Sequence, residues 1–359
     1  MAQGFKCLPE LRSKKQQSSD PMTSVKRTAD DAFGASHTSC YTDAVKKEKY
    51  YTLPELLADK MVDKDLVKVV NSMFDAFGTI TEALRRELVT VADKQSSVFG
   101  DVQLGVDVVA DDLMWEVCKT NPLIKDGASE EAPEVRETHA DGKFSICWDP
   151  LDGSSIVDNN WAVGTIVGIW PGSTGVIGAT GRDQVTSMVA LYGPRTTAFI
   201  VLDDGVYEFT YGANGIEGWV CSRERIQIAR DSKIFSPANM RAAQEVDGYD
   251  KLIHHWMAKR YTLRYTGGLV PDVCQQFTKG MGIFTNPTAT KSPAKLRLAF
   301  EAAPFGLLVE KAGGKTSNGD DGLSILDTKI NGIDQRTALA IGSANEVDRF
   351  NEMVLNVRL

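Results

Sequence analysis

No apolar run in the 359 residues approaches the roughly 20 that a membrane-spanning helix needs, so a soluble chain with no membrane partner is expected. Basic clusters are missing as well. Forty Lys and Arg stand against 48 Asp and Glu, a formal net charge of −8 at pH 7, which argues against a nucleic-acid partner. A chain this acidic that handles an anion must do so with local basic residues and bound metal. Cysteines are few and scattered: Cys7, Cys40, Cys118, Cys147, Cys221 and Cys274 form no CxxC and no regular framework. That speaks against a disulfide scaffold or a zinc site and points to a reducing compartment. There is no internal repeat and no N-terminal apolar segment of the kind a secretory signal carries.

What remains is ordinary for a globular enzyme, with 42% hydrophobic and 25% charged residues, and long enough for two domains or one large α/β unit. Residues 1–48 are polar and aperiodic, with RSKKQQSSD and KRTADD among them, and read as a disordered extension. Their aspartates make a poor transit peptide, so the cytoplasm is expected, with a plastid as the alternative. From Leu53 to about Leu88 the pattern is helical, and Leu66, Val69, Val70, Met73, Phe74 and Phe77 form its apolar stripe. A polar stretch, Thr90–Gly100, precedes a second helical run at Val106–Val117. Strands follow at Phe144–Trp148, Ala162–Trp170, Ser187–Tyr192, Thr196–Leu202 and Val206–Tyr211, close enough together to pair antiparallel. Beyond Arg230, strands and helices mix, including a helix near Met240–Met257, one at Val270–Thr278 and one at Glu301–Ala312. The expectation is a layered α/β protein with halves at 49–230 and 231–359.

The chemistry concentrates in WDPLDGSS, residues 148–155. Asp149 and Asp152, three apart around a proline on a tight turn, can converge on one hard cation such as Mg²⁺, which takes oxygen ligands. Gly153, Ser154 and Ser155 can open a helix whose free N–H groups face an anion. Upstream, Glu130 and Glu131 are either a solvated pair or further members of the site, one holding metal and the other orienting water. Asp101 and Asp107 bracket the start of the second helix, as helix-entry acids or as partners in proton transfer. In AKLRLAFE, Lys295 and Arg297 alternate with leucines, placing both on one side of a short strand: an amphipathic edge or a phosphate clamp. Glu301 follows as a ligand or as an acid favoured at a helix start. Arg264 and Tyr265, before a Gly-Gly step and a helix, suit a phosphate distant from the metals or a packed surface.

ASEE, DPLDGSS, GTIVGIWPG, YGPRTT, RYTGGLV, AKLRLAFE and EKAGGKTSNG, in this order from Leu53 to the C-terminus, resemble the fructose-1,6-bisphosphatase/sedoheptulose-1,7-bisphosphatase family. The resemblance implies the layered αβαβα sugar-phosphatase fold and metal-dependent hydrolysis of a sugar bisphosphate. It implies metal ligation by Glu130, Glu131, Asp149, Asp152, Glu301 and the Leu151 carbonyl, with two or more Mg²⁺ ions or Mn²⁺ in their place. Asp107 and Glu131 then activate water, with Asp101 at the edge of a mobile loop. Gly153, Ser154 and Ser155 receive the 1-phosphate, and Asn239, Arg264, Tyr265 and Lys295 hold the sugar and the distal phosphate. The residue matching Arg264 reaches a neighbouring subunit's site in such enzymes, so a homo-oligomer, dimer or tetramer, is implied.

Ile156-Val157-Asp158, Gly181-Arg182-Asp183-Gln184 and YGPRTT resemble the sedoheptulose branch more than the fructose branch, which implies sedoheptulose 1,7-bisphosphate as substrate. Departures from the fructose branch point the same way: Ala242, and Thr285 or Asn286, stand where fructose enzymes carry tyrosines of the sugar pocket. The segment TVADKQSSVFGD lacks the cysteine pair of chloroplast sedoheptulose-bisphosphatases, so no thioredoxin-type switch is expected there. The competing readings are a fructose-1,6-bisphosphatase, an enzyme using both sugars, and a non-catalytic regulatory homologue. The last is disfavoured because every matched carboxylate is present.

Overall fold

The computed structural model describes residues 50–86, 91–96 and 102–357, with only the backbone course described for 91–96 and 102–104. The expected extension over residues 1–48, and Asp101, lie outside the described residues. The first helical stripe becomes two helices, α1 (Leu53–Lys60) and α2 (Lys64–Arg86). A capping box opens α1, with the Thr52 N–H and hydroxyl both donating to Glu55. Every apolar residue of the expected stripe, from Leu66 to Phe77, is buried. The polar stretch that follows is more than an interruption: β1 (Val91–Ser96) pairs antiparallel with β2 (Val102–Leu104) just ahead of α3 (Gly105–Thr120).

The next strands are β3 (Ile124–Ser129), β4 (Arg136–Glu137), β5 (Phe144–Asp152), β6 (Val163–Pro171), β7 (Thr186–Tyr192), β8 (Thr196–Leu202), β9 (Gly205–Tyr211) and β10 (Trp219–Arg223), with the one-turn helix α4 (Ser154–Val157) after β5. They form one sheet in the order β10-β9-β8-β7-β6-β5-β3-β4. Consecutive strands from β5 to β10 pair antiparallel, as their close spacing predicts. β3 runs parallel to β5. Sequence periodicity missed β3 because IKDGAS has no alternation: its Gly127 fits under the Trp148 ring, where a Cβ would come within 2.8 Å.

A smaller sheet, ordered β12-β11-β13-β15-β14, is built from β11 (Ile234–Pro237), β12 (Thr262–Leu263), β13 (Ile283–Asn286), β14 (Lys315–Ser317) and β15 (Leu339–Gly342). Its helices are α5 (Asp247–Ala258), α6 (Leu269–Lys279), α7 (Ala303–Lys311) and α8 (Ala344–Phe350). The single helix expected near Met240–Met257 is broken. Asn239 is left-handed (φ 48°), a 3₁₀ turn covers Met240–Gln244, and α5 begins only at Asp247. Gly248 sits so close to Met353 that a Cβ would meet its carbonyl oxygen at 1.9 Å, which anchors the restart of the helix.

The layers run helix, sheet, helix, sheet, helix: α1–α3 cover one face of the larger sheet, α6 and α7 lie between the sheets, and α5 and α8 cover the smaller one. Each interface is an apolar cluster; the middle one joins Ile166, Val189 and Phe199 to Val270, Phe277, Phe305 and Leu308. Fully burying such a side chain contributes about 1.5–3 kcal/mol. Among the described residues no helix is long and apolar enough to cross a membrane.

One contact in this middle layer positions the site. A Cβ at Gly164 of β6 would meet the Ala190 carbonyl oxygen at 2.3 Å and Val270 Cγ1 at 2.4 Å. Only hydrogen at this position lets the first turn of α6 lie against β6. Gly164→Ala is therefore expected to destabilise the fold by about 1–3 kcal/mol through overpacking, read from the urea midpoint. An unshifted midpoint would mean that α6 does not depend on this approach.

Candidate active site

Asp149 and Asp152 lie at the end of β5 rather than on a free turn. Asp149 pairs with Ile166 and Asp152 with Gly164, so three steps along β5 match two along β6. The extra residue is a β-bulge between Asp149 and Asp152, where Pro150 has no N–H to donate to the ladder. In a regular strand, residues three apart face opposite sides. The bulge cancels that alternation and turns both carboxylates to one side.

The parallel neighbour β3 ends beside them. Glu130 leaves it with its N–H on the Trp148 carbonyl at 3.0 Å. The fourth acid, Glu301, comes from a π-helical turn, Leu298–Ala302, just before α7, and its Oε2 accepts the Arg297 N–H at 2.5 Å. Such one-turn π-bulges often mark functional positions. Carboxylate oxygens of Asp149, Asp152 and Glu301 lie within 4.8 Å of one another. Backbone donors fix two of these acids: Leu151 N–H reaches Asp149 Oδ1 at 3.0 Å, and Leu269 and Val270 N–H reach Asp152 at 3.2 and 2.6 Å. The last two are the first N–H groups of α6, so Asp152 caps a helix whose own entry residue, Gly268, has no side chain to do so.

The cluster is strongly repulsive. Burial, with Glu130, Asp152 and Glu301 nearby, pushes the Asp149 carboxyl well above the usual range. Burial and Glu130 do the same for Glu301. Asp152 is pushed up to about 7 by burial, against the pull of its two backbone donors. A cation is wired in: Arg297 is buried, with its guanidinium 3.7 Å from Glu130 Oε1 and bonded to the Lys295 carbonyl. An all-oxygen donor set at this spacing with excess negative charge fits a hard divalent cation.

The remaining expected residues divide. Asp107 is buried in the first turn of α3, on the same face as Asp111 one turn later. Glu131 is half-buried, and its N–H donates to Ser129 Oγ at 3.3 Å. The Leu151 side chain is buried beside the bulge. Gly153 (φ 99°) opens α4, and Ser154 and Ser155 form its first turn, where helix N–H groups have no intrahelical acceptor. The strand expected to carry Lys295 and Arg297 on one side is not formed: Arg297 makes an isolated bridge to Arg336 and turns inward, while Lys295 is exposed.

Next to the acids lies a cavity of about 160 Å³, lined among others by Asp152, Asn239, Arg241, Tyr265, Asn286 and Lys295. Arg264 does not line it; this exposed side chain donates to the Leu263 carbonyl. The Asn239 amide donates to the Pro287 and Ser292 carbonyls at 2.7 and 2.8 Å, which fixes the loop forming one cavity wall. Ala242 is fully buried under α5 and faces away from the cavity.

Two residues escaped the sequence reading. Arg241 was passed over between Asn239 and Ala242, although a lone cation there was a usable signal. Asp111 gave none, because its role depends on tertiary contacts. Its Oδ1 accepts both Ser129 Oγ at 2.5 Å and Trp148 Nε1 at 2.8 Å, the side chains that immediately precede Glu130 and Asp149.

Comparison with known proteins agrees with this geometry. The fructose-1,6-bisphosphatase N-terminal domain family matches residues 52–223, and the C-terminal domain family matches 228–355. The chain belongs to the fructose-1,6-bisphosphatase family. Within it, the chain is 44% identical over 305 residues to the chloroplastic sedoheptulose-1,7-bisphosphatase of Triticum aestivum, covering 84% of this chain and 76% of that one. It is 37% identical over 317 residues to a class 1 fructose-1,6-bisphosphatase of Pelobacter propionicus, covering 88% and 96%. A crystal structure of a Toxoplasma gondii protein described as a sedoheptulose-1,7 bisphosphatase superposes with TM-score 0.79 at 42% identity, over 85% of this chain and 99% of that one.

Two predictions follow from the charge balance and from Asp111. A carboxyl whose folded pKa lies above its unfolded value near 4 contributes stability at low pH that is lost as pH rises through the folded value. With Asp152 titrating at about 7, the protein in EDTA is expected to lose thermal stability between pH 5 and 8. A saturating divalent cation, or Asp149→Asn, should flatten that slope; a slope unchanged by both would remove the repulsive cluster as its cause. Asp111→Ala leaves two buried donors without an acceptor and is expected to cost about 1–3 kcal/mol for each. Asp111→Asn, which keeps one acceptor oxygen, should lose less in the same urea titration.

Proposed function

We propose that the chain hydrolyses the 1-phosphate of sedoheptulose 1,7-bisphosphate to sedoheptulose 7-phosphate and inorganic phosphate, with Mg²⁺ bound. The observation that carries this reading is the adjacency of a buried acidic cluster to a cavity walled by cations. One end suits a metal and the scissile phosphate, and the other a second phosphate on the same substrate. The choice of the seven-carbon sugar rests on the relatives from wheat, spinach and Chlamydomonas reinhardtii, all named sedoheptulose-1,7-bisphosphatase at 43–44% identity.

In this reading Asp149, Asp152, Glu301, Glu130 and the Leu151 carbonyl hold the cations. When bound, the metal polarises the phosphoryl oxygens and lowers the pKa of water. The first-turn N–H groups of α4, with the Ser154 and Ser155 hydroxyls, receive the 1-phosphate, whose charge they complement. Glu131 and Asp107 take the proton from the attacking water. Lys295 and Tyr265 orient the far end of the sugar, and Asn239 shapes the wall behind it. The exposed Arg264 would serve the site of a neighbouring subunit in a dimer or tetramer. The chloroplastic names of the plant relatives support the plastid alternative for the compartment.

The test is phosphate release from sedoheptulose 1,7-bisphosphate and fructose 1,6-bisphosphate side by side, with Mg²⁺ and with EDTA. A specificity constant higher for the seven-carbon sugar, lost in EDTA and in Asp149→Asn, is the expected result. Preference for the six-carbon sugar would transfer the same residues to fructose-1,6-bisphosphatase chemistry. No release from either would overturn the enzymatic reading.

A further inference from the structure

The cavity beside the acidic cluster holds a cation that the reaction scheme above leaves unused. Arg241 lies in the 3₁₀ turn Met240–Gln244 that follows left-handed Asn239. That turn divides its residues: Ala242 goes inward, fully buried with Phe235, Tyr249 and Trp256, while Arg241 goes outward to line the cavity. Among the described residues no carboxylate forms an ion pair with Arg241. Its neighbour across the cavity is the Tyr265 phenol, within electrostatic range of the guanidinium.

The charge inventory of the cavity makes this cation significant. The cations on its lining are Arg241 and Lys295, and the carboxylate is Asp152, already engaged by the N-terminus of α6. Arg264 is outside the lining and holds its own neighbour's carbonyl. A phosphate ester carries nearly two negative charges at neutral pH, so within one chain Lys295 alone leaves it undercompensated. A guanidinium supplies the missing charge and a planar pair of donors that matches two phosphate oxygens. The lining also includes Asn286, which is 8% exposed and whose Oδ1 has no hydrogen-bond partner among the described residues. An unsatisfied amide in a polar cavity fits a ligand rich in hydroxyl groups.

We propose that Arg241 binds the distal phosphate of the substrate from within the same chain, together with Lys295, and thereby selects bisphosphates over monophosphates. Asn286 lies on the sugar between the two phosphates. The inference rests on the sugar-bisphosphatase reading and adds to it a recognition residue that requires no neighbouring subunit.

The experiment uses full-length protein and compares Arg241→Ala with Arg241→Lys. Binding of sedoheptulose 7-phosphate, which carries only the distal phosphate, is measured by calorimetry in EDTA, so that the readout does not depend on turnover. Arg241→Ala should weaken it roughly 30-fold, as expected for loss of a charge-assisted contact, and Arg241→Lys should restore part of it. In steady state with Mg²⁺, the KM for sedoheptulose 1,7-bisphosphate should rise by a similar factor, with kcat changed far less. Hydrolysis of fructose 1-phosphate, which lacks the distal group, should be equally slow in wild type and variant. Binding of the 7-phosphate unchanged in Arg241→Ala, or an equal loss on both substrates, would overturn the role of Arg241 while leaving the proposed function standing. If wild type itself neither binds the 7-phosphate nor releases phosphate from the bisphosphates, the proposed function falls and this inference with it.

Discussion

The arrangement turns on one carboxylate with two obligations. Asp152 accepts the first two N–H groups of α6 and also stands among Asp149, Glu301 and Glu130. The first obligation fixes where the middle helical layer meets the larger sheet. The second concentrates negative charge where that junction is tightest. Like charges at such distances in a dry site repel strongly, so the acids would spread unless something held them. What holds them is mostly backbone: the bulge in β5, the N–H of Leu151, the entry to α6 and the π-turn before Glu301. The fold thus carries electrostatic strain that protons or a hard cation relieve.

The layering explains why recognition groups can reach the same place. In the larger sheet the parallel pair is β3 and β5, and the C-terminal ends of these strands deliver Glu130, Asp149 and Asp152. In the smaller sheet β11 and β13 are parallel, and just beyond their C-terminal ends come Asn239, Arg241 and the loop after Asn286. Ligands in α/β proteins gather outside the carboxyl ends of parallel strands. Here two such ends, one from each sheet, face a common space, with α6 between them as the shared wall.

Much of this was legible from the residues alone. The α2 stripe, the run of antiparallel strands after Phe144 and the acidic residues around Pro150 all follow from local pattern, because periodicity and short spacing report local geometry. The opacity lay elsewhere. That Asp149 and Asp152 share a side through a bulge depends on the register against β6, which no spacing within β5 reveals. Arg297 looked like the partner of Lys295 on an edge strand. It is instead a buried counter-charge to Glu130, because the segment leaves strand geometry before the π-turn. Asp111 was invisible because its partners are 18 and 37 residues away in sequence. Fold class came from short-range signals, whereas the electrostatic partners came from long-range ones.

The two halves of the site also differ in what a substitution can reach. The acids are positioned by main-chain donors, which do not change when side chains do, so the chemical end tolerates little drift in geometry. The cavity is shaped by side chains on a 3₁₀ turn and on the loop that Asn239 and Glu245 hold through the carbonyls of Pro287 and Ser292 and the N–H of Lys291. Exchanging a side chain at 241 or 286 can lengthen, shorten or recharge that cavity without disturbing the bulge or the entry to α6. A change in substrate length is therefore cheap in stability and can occur with the hydrolytic chemistry intact. That separation accounts physically for one family whose members are named for sugars of different length.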